Sequence, residues 1–306
     1  MRNGSFRILV FGDSVPWGQG LLEQDKYHTL VAQGLPAAAG SPPPEKKVLA
    51  HSGAIIGVGV NTNEGSLDGE VPTAYPTILQ QVGQFNDSPE TVDLILMNGG
   101  INDVDIRDIL NPFTDTSHLQ DWIETHCHAH MKLLLDQVTA KFNLPTARIV
   151  VTGYYPILSE ESDPDFFKPF LKAIGAPWLD FLGEGLEGLI MDKIIKHCGI
   201  FSDQSASTLQ NAVDDANNTP SGQGRISFVN PGFGPENSAF AGASWIFGVN
   251  DDLDLSPQDE VIDSRHASCD NCEPDLLLRW ECYRASAGHP NVLGAKQYAT
   301  QILASL

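Results

Sequence analysis

The strongest constraint on this chain is a set of short, nearly continuous apolar runs that alternate with helix-compatible stretches. Phe6 to Phe11 (FRILVF), Asp93 to Met97 (DLILM) and Arg148 to Thr152 (RIVVT) lack the alternation of a half-exposed strand. Runs of this kind belong to strands buried on both faces. Lys47 to Ala50 leads into His51-Ser52-Gly53 as a further strand and its exit turn, and Arg225 to Val229 supplies another. Between them, Leu21 to Gln33, Tyr75 to Phe85 and Ser117 to Phe142 have helical spacing. In the last of these, Leu119, Trp122, Ile123, Leu133, Leu134 and Val138 form one apolar face. Strand–helix alternation implies right-handed crossovers and a parallel sheet covered on both sides. The predicted fold is α/β, a three-layer α/β/α arrangement of flavodoxin-like type with about five parallel strands, residues 1–306 forming one domain.

Beyond Pro156 the pattern loosens. Phe166 to Cys198 reads as helix broken by Gly175, Pro177 and a glycine-rich run from Gly183 to Gly188, and Asn217 to Gly224 is a turn-rich linker. Residues 231–285 read as a long irregular insertion, acidic through Asp251, Asp252, Asp254, Asp259, Glu260 and Asp263. Loops of such length are usually functional or mobile. Within it, Trp245, Ile246 and Phe247 serve either as a hydrophobic lid or as the anchor of the loop itself. Asn291 to Leu306 closes the chain as an amphipathic helix.

Charge narrows the partners. With 39 acidic and 18 basic side chains the net charge is −21, which argues against nucleic acid and against an anionic membrane surface, both of which require clustered Lys and Arg. No stretch reaches the eighteen or so apolar residues of a spanning helix. The apolar run after Arg2 is too short for a signal-peptide core and lacks a small-residue cleavage site. A cytoplasmic location is therefore slightly favoured, with secretion open if a leader has been removed. GxSxG and P-loop signatures are missing from the sequence, and the GxGxxG string at Gly183, Gly185 and Gly188 does not follow a strand-like run, so α/β-hydrolase, NTPase and dinucleotide-binding readings lack support.

In open parallel sheets, ligands bind beyond the carboxyl ends of the strands. Three turns fall at such ends: Gly12-Asp13-Ser14, Ser52-Gly53-Ala54 and Gly100-Ile101-Asn102-Asp103. Taken singly, each is an ordinary cap or turn. The fourth piece, Gly288-His289-Pro290-Asn291, precedes the last helix. A serine hydroxyl, a glycine N–H, an asparagine amide and a histidine are the parts of an acyl-transfer site: nucleophile, oxyanion donors and general base.

These four blocks, in this order, resemble those of the SGNH hydrolases, the GDSL-type esterases and lipases. The resemblance implies Ser14 as nucleophile, His289 as base and an oxyanion hole from the Ser14 N–H, the Gly53 N–H and the Asn102 amide. It further implies a small-molecule carboxylic ester as substrate and no cofactor. The same machinery also serves acyl transfer to an alcohol and O-deacetylation of a carbohydrate, and a non-catalytic binding module would keep the same residues. Family members commonly carry an aspartate three residues before the histidine, where this chain has Ser286. Its duty then falls to a backbone carbonyl or to a more distant carboxylate (Asp270, Asp275 or Glu281), or the site works as a dyad. Trp17 is a candidate for the substrate pocket, with a core position as the alternative.

Two other groups carry metal-ligand residue types. His126 and His130 stand at i and i+4 on a helix and are placed to share a metal, yet with Cys127 they also continue the apolar stripe, which favours packing. His266, Cys269, Cys272 and Cys282 match the ligand types of a zinc site, but their spacing fits no standard finger. A disulfide from Cys269 or Cys272 to Cys282 is the simpler expectation and would order the segment that delivers His289.

Overall fold

A computed structural model describes residues 5–36, 42–62, 70–175, 187–250, 259–272 and 276–306. Its centre is a five-stranded, wholly parallel sheet: β1 (Arg7–Val10), β2 (Glu45–Val48), β3 (Leu94–Met97), β4 (Arg148–Thr152) and β5 (Ile226–Val229), in the order β2-β1-β3-β4-β5. This is the flavodoxin-like order expected from the sequence. All four residues of the central β3 are fully buried, because helices cover both faces of the sheet. The edge strand β2 instead alternates exposed and half-buried residues.

Helices α2 (Tyr27–Gly34) and α12 (Val292–Ser305) pack on each other. In a separate group, α3 (Ile78–Gln84), α7 (Met131–Lys141) and α9 (Glu187–Asn217) pack together. The helix expected over Ser117 to Phe142 runs as α6 (Thr116–Ile123), a π-helical stretch Glu124–His130 and α7. Its buried face differs from the expected one. Leu133 is 49% exposed, whereas Leu119, Ile123, Cys127 and Met131 are fully buried. The wide π turns sustain that four-residue step, which an α-helix would rotate off the core.

The helical reading of Phe166 to Cys198 resolves into α8 (Phe167–Ala173) and α9, which runs on to Asn217; Pro177 and the glycines up to residue 186 lie outside the described residues. Residues 231–285 are irregular only in part, since they hold α10 (Ile262–Cys272) and α11 (Leu276–Tyr283). The acidic residues Asp251, Asp252 and Asp254 are outside the described set.

The strand order fixes the location of the site. β1 lies between β2 and β3, so the chain leaves β1 and β3 toward opposite sides, and a crevice opens beyond their carboxyl ends. Among the described residues no helix is long and apolar enough to cross a membrane.

Candidate active site

Beyond β1 the chain turns at Gly12 (φ +129°), where a Cβ would sit 2.5 Å from both Asn98 Oδ1 and Pro16 Cγ. Only glycine passes there. Asp13 then caps the short helix α1 (Ser14–Trp17), accepting from the Val15 N–H at 2.9 Å and from the Tyr154 hydroxyl at 2.8 Å. Burial raises its pKa to about 6, against the pull of the Val15 N–H. The cap therefore sets the orientation of α1, and Ser14 opens that helix at the edge of the cleft.

His289 arrives from the far end of the chain, and its Nε2 lies 2.7 Å from Ser14 Oγ. Burial lowers the His289 pKa to about 4, opposed by the backbone of Ala287 and Ser286. The ring is thus neutral near pH 7, as a proton acceptor must be. Gly53 adopts φ +80° with its Cα packed on the Thr73 backbone, where a Cβ would come within 2.6 Å of the Thr73 nitrogen. Asn102 opens onto the same cleft from α4 (Ile101–Val104) and is held by donating its Nδ2 to the Ala54 carbonyl at 3.0 Å. Ser14, Gly53, Asn102 and His289 all line one cleft of about 370 Å³, whose walls include Ile101, Ile157, Phe170 and Ile174. Four residues scattered over 275 positions of sequence therefore meet in a single crevice.

Ser286 stands where members of the resembled family commonly carry an aspartate. The Ser286 hydroxyl donates to Asp259, a fully buried carboxylate. Arg265, also fully buried, grips Asp259 in a fork at 2.6–2.8 Å and reaches Glu70 with its Nε at 3.3 Å. Glu70 in turn accepts from the Gly20 N–H at 3.0 Å and from Gln19 at 3.1 Å, just past α1. Burial raises the Glu70 pKa to about 7, with Arg265 opposing. One chain of charges thus joins the segment after Ser14 to the segment before His289. No side chain among the described residues hydrogen-bonds His289 Nδ1. Asp270 instead meets the Tyr283 hydroxyl and Arg279, Glu281 lines the cleft, and Asp275 is outside the described residues.

Asp259, Arg265 and Glu70 escape a reading of the sequence because acidic and basic residues are common there and nothing local marks these three as buried. A lone arginine in an acidic stretch was the available signal.

Trp17 packs against the core with Lys26 Nζ 4.5 Å above its ring. The segment Trp245, Ile246 and Phe247 is tied to the backbone around His289. Phe247 donates to the His289 carbonyl at 2.8 Å, Gly288 donates to the Phe247 carbonyl at 2.9 Å, and Asn291 donates to the Trp245 carbonyl at 2.8 Å. This short ladder sets the backbone on either side of the histidine. Of the two alternatives at His266, Cys269, Cys272 and Cys282, the structure has the disulfide: Cys269 and Cys282 are bonded, Cys272 is a free thiol, and the His266 ring lies against Tyr283. The disulfide ties α10, which carries Arg265, to α11, which leads to Ser286.

No family model matches the chain, and no curated protein matches it in sequence. Among solved structures it is similar to Est24, a carbohydrate acetylesterase from Sinorhizobium meliloti, at 12% identity over 98% of both chains with a TM-score of 0.47. It is also similar to the lipase Lip_vut3 from a goat rumen metagenome, at 15% identity over 77% of this chain and 87% of the other, with a TM-score of 0.42. Likeness at this distance assigns no activity, and what the cleft can do follows from its own geometry.

Proposed function

We propose that the protein is a serine esterase of SGNH type, hydrolysing carboxylic esters through an acyl-enzyme on Ser14. The observation that carries this reading is the 2.7 Å contact between His289 Nε2 and Ser14 Oγ, two residues that line the cleft. His289 takes the Ser14 proton as Oγ attacks the ester carbonyl. The tetrahedral oxyanion is met by the N–H groups of Ser14 and Gly53 and by the Asn102 amide. The first of these is supported by the position of Ser14 at a helix start, where N–H groups lack intrahelical partners. The proton passes from His289 to the leaving alcohol, and water repeats the sequence on the acyl-enzyme. Orientation of the base comes from its backbone ladder and from the Asp259–Ser286 contact, in place of a carboxylate on Nδ1.

The cleft volume and its aliphatic walls suit a small to medium apolar acyl group. The test is hydrolysis of p-nitrophenyl acetate, butyrate and octanoate by wild type, Ser14→Ala and His289→Ala. Turnover by the wild type that falls by at least about a thousandfold in both variants supports the reading. Equal turnover in all three, or none in the wild type, contradicts it.

A further inference from the structure

A cluster of ligand-type side chains stands beside the cleft without a part in ester hydrolysis. On the π-helical stretch, His126 and His130 turn their Nδ1 atoms toward each other at 3.1 Å, and Asp103 Oδ1 lies 3.9 Å from His126 Nδ1. The three ligand atoms fall within 4.8 Å of one another. Among the described residues no Lys or Arg pairs with Asp103, although its side chain is only 6% exposed.

We infer that Asp103, His126 and His130 form a binding site for a divalent first-row transition metal such as zinc, held by one carboxylate and two imidazoles. Zinc–nitrogen bonds of about 2.0–2.1 Å in tetrahedral geometry separate two ligands by about 3.3 Å. The imidazole pair already stands near that spacing, and the carboxylate needs to close by roughly half an ångström on His126 and by up to about 1.5 Å on His130. Asp103 Oδ2 accepts from the Ile56 N–H at 2.9 Å, which orients the carboxylate and leaves the more weakly engaged Oδ1 (3.2 Å from the same N–H) toward the histidines. Two imidazoles with one carboxylate select such ions over Mg²⁺ and Ca²⁺, which prefer all-oxygen sites. An ion here would join three elements: the loop after β2 through Ile56, the helix carrying Asn102, and the π-helical stretch. It would sit behind the cleft as a brace, with coordination positions left for water.

The test uses untagged full-length protein stripped with EDTA and titrated calorimetrically with zinc chloride, alongside His126→Ala and His130→Ala, each checked for folding by circular dichroism. We expect one equivalent bound by the wild type, affinity at least tenfold weaker in both variants, and a zinc-dependent rise in Tm that the variants lose. Cobalt(II) in place of zinc should give a d–d spectrum without thiolate charge transfer, since the neighbouring Cys127 sulfur faces Gly100. The wild-type titration and the cobalt spectrum stand whether or not the variants fold. No uptake by the wild type, uptake unchanged in the variants, or a thiolate band from elsewhere in the chain would overturn the inference. None of these readouts depends on ester turnover.

Discussion

The two halves of the cleft are built by different means. On the side of the proposed nucleophile, Ser14, Gly53 and Asn102 follow directly from the ends of β1, β2 and β3, and the parallel ladder fixes where each chain exit falls. On the base side, His289 stands at the end of a partly irregular segment with no strand of the sheet in it. It is held by backbone bonds to residues 245–247, by the Glu70–Arg265–Asp259–Ser286 network and by the Cys269–Cys282 disulfide. Strand pairing is cooperative and, in β1 and β3, largely buried, whereas a loop positioned by a few charged side chains stands or falls with each of them. The base side is therefore where single substitutions should separate structure from chemistry.

The largest effect is expected at Asp259. Replacing it with Ala leaves Arg265 buried with one weaker partner, and breaking a buried pair in this way costs about 3–5 kcal/mol. Asp259→Asn keeps the volume. It should lower kcat by up to about a hundredfold through misplacement of His289, with KM changed far less. Equal kcat in Asp259→Asn and wild type, measured under conditions where both are folded, would dissolve the proposed link between Asp259 and the base.

Opening the disulfide comes next. Closing a loop of this size contributes up to about 3 kcal/mol, so Cys269→Ser should lower Tm and reduce kcat less than Asp259→Asn does. Matching losses in Ser14-side variants would show the two halves to be equally dependent on it, against the comparison drawn above.

A third test is the pH profile. The base must be neutral to accept the Ser14 proton, and burial lowers its pKa from the ordinary 6.5 to about 4. Activity in kcat/KM should therefore persist below pH 6 and fall only as pH drops through about 4. An acid limb at the ordinary histidine value would mean that His289 is solvated or paired with a carboxylate during turnover. The smallest effect belongs to Trp17→Phe, which should leave the acyl-chain preference unchanged because Trp17 packs against the core. A shifted preference between acetate and octanoate would place it in the pocket.

The same division decides how much of the molecule could be read from its sequence. Strands β1, β3 and β4 were legible because largely buried strands leave continuous apolar runs, whereas the edge strand β2, half-exposed and rich in Lys and Glu, was placed two residues late; Gly12, Gly53 and Gly100 mark the exits where the backbone must turn. The four blocks of the cleft were legible because each is local. Asp259 was not, since its partner Ser286 is 27 residues away and Arg265 is surrounded in sequence by unremarkable polar residues. The misplaced Leu133 has another cause: the π-helical stretch changes the helical period midway, and a pattern search at 3.6 residues per turn cannot follow it. That same stretch brings His126 and His130 against Asp103, a meeting that sequence spacing suggests for two of the three residues and conceals for the third.

The central claim, a Ser14 hydroxyl activated by His289, is tested most directly by covalent trapping. The intact protein is treated with a fluorophosphonate and the modified peptide identified by mass spectrometry. The expected result is a single adduct on Ser14, formed by the wild type and by Trp17→Phe, and slowed at least about a thousandfold in His289→Ala. Absence of an adduct from the folded wild type, or an adduct on any other serine, would contradict the account.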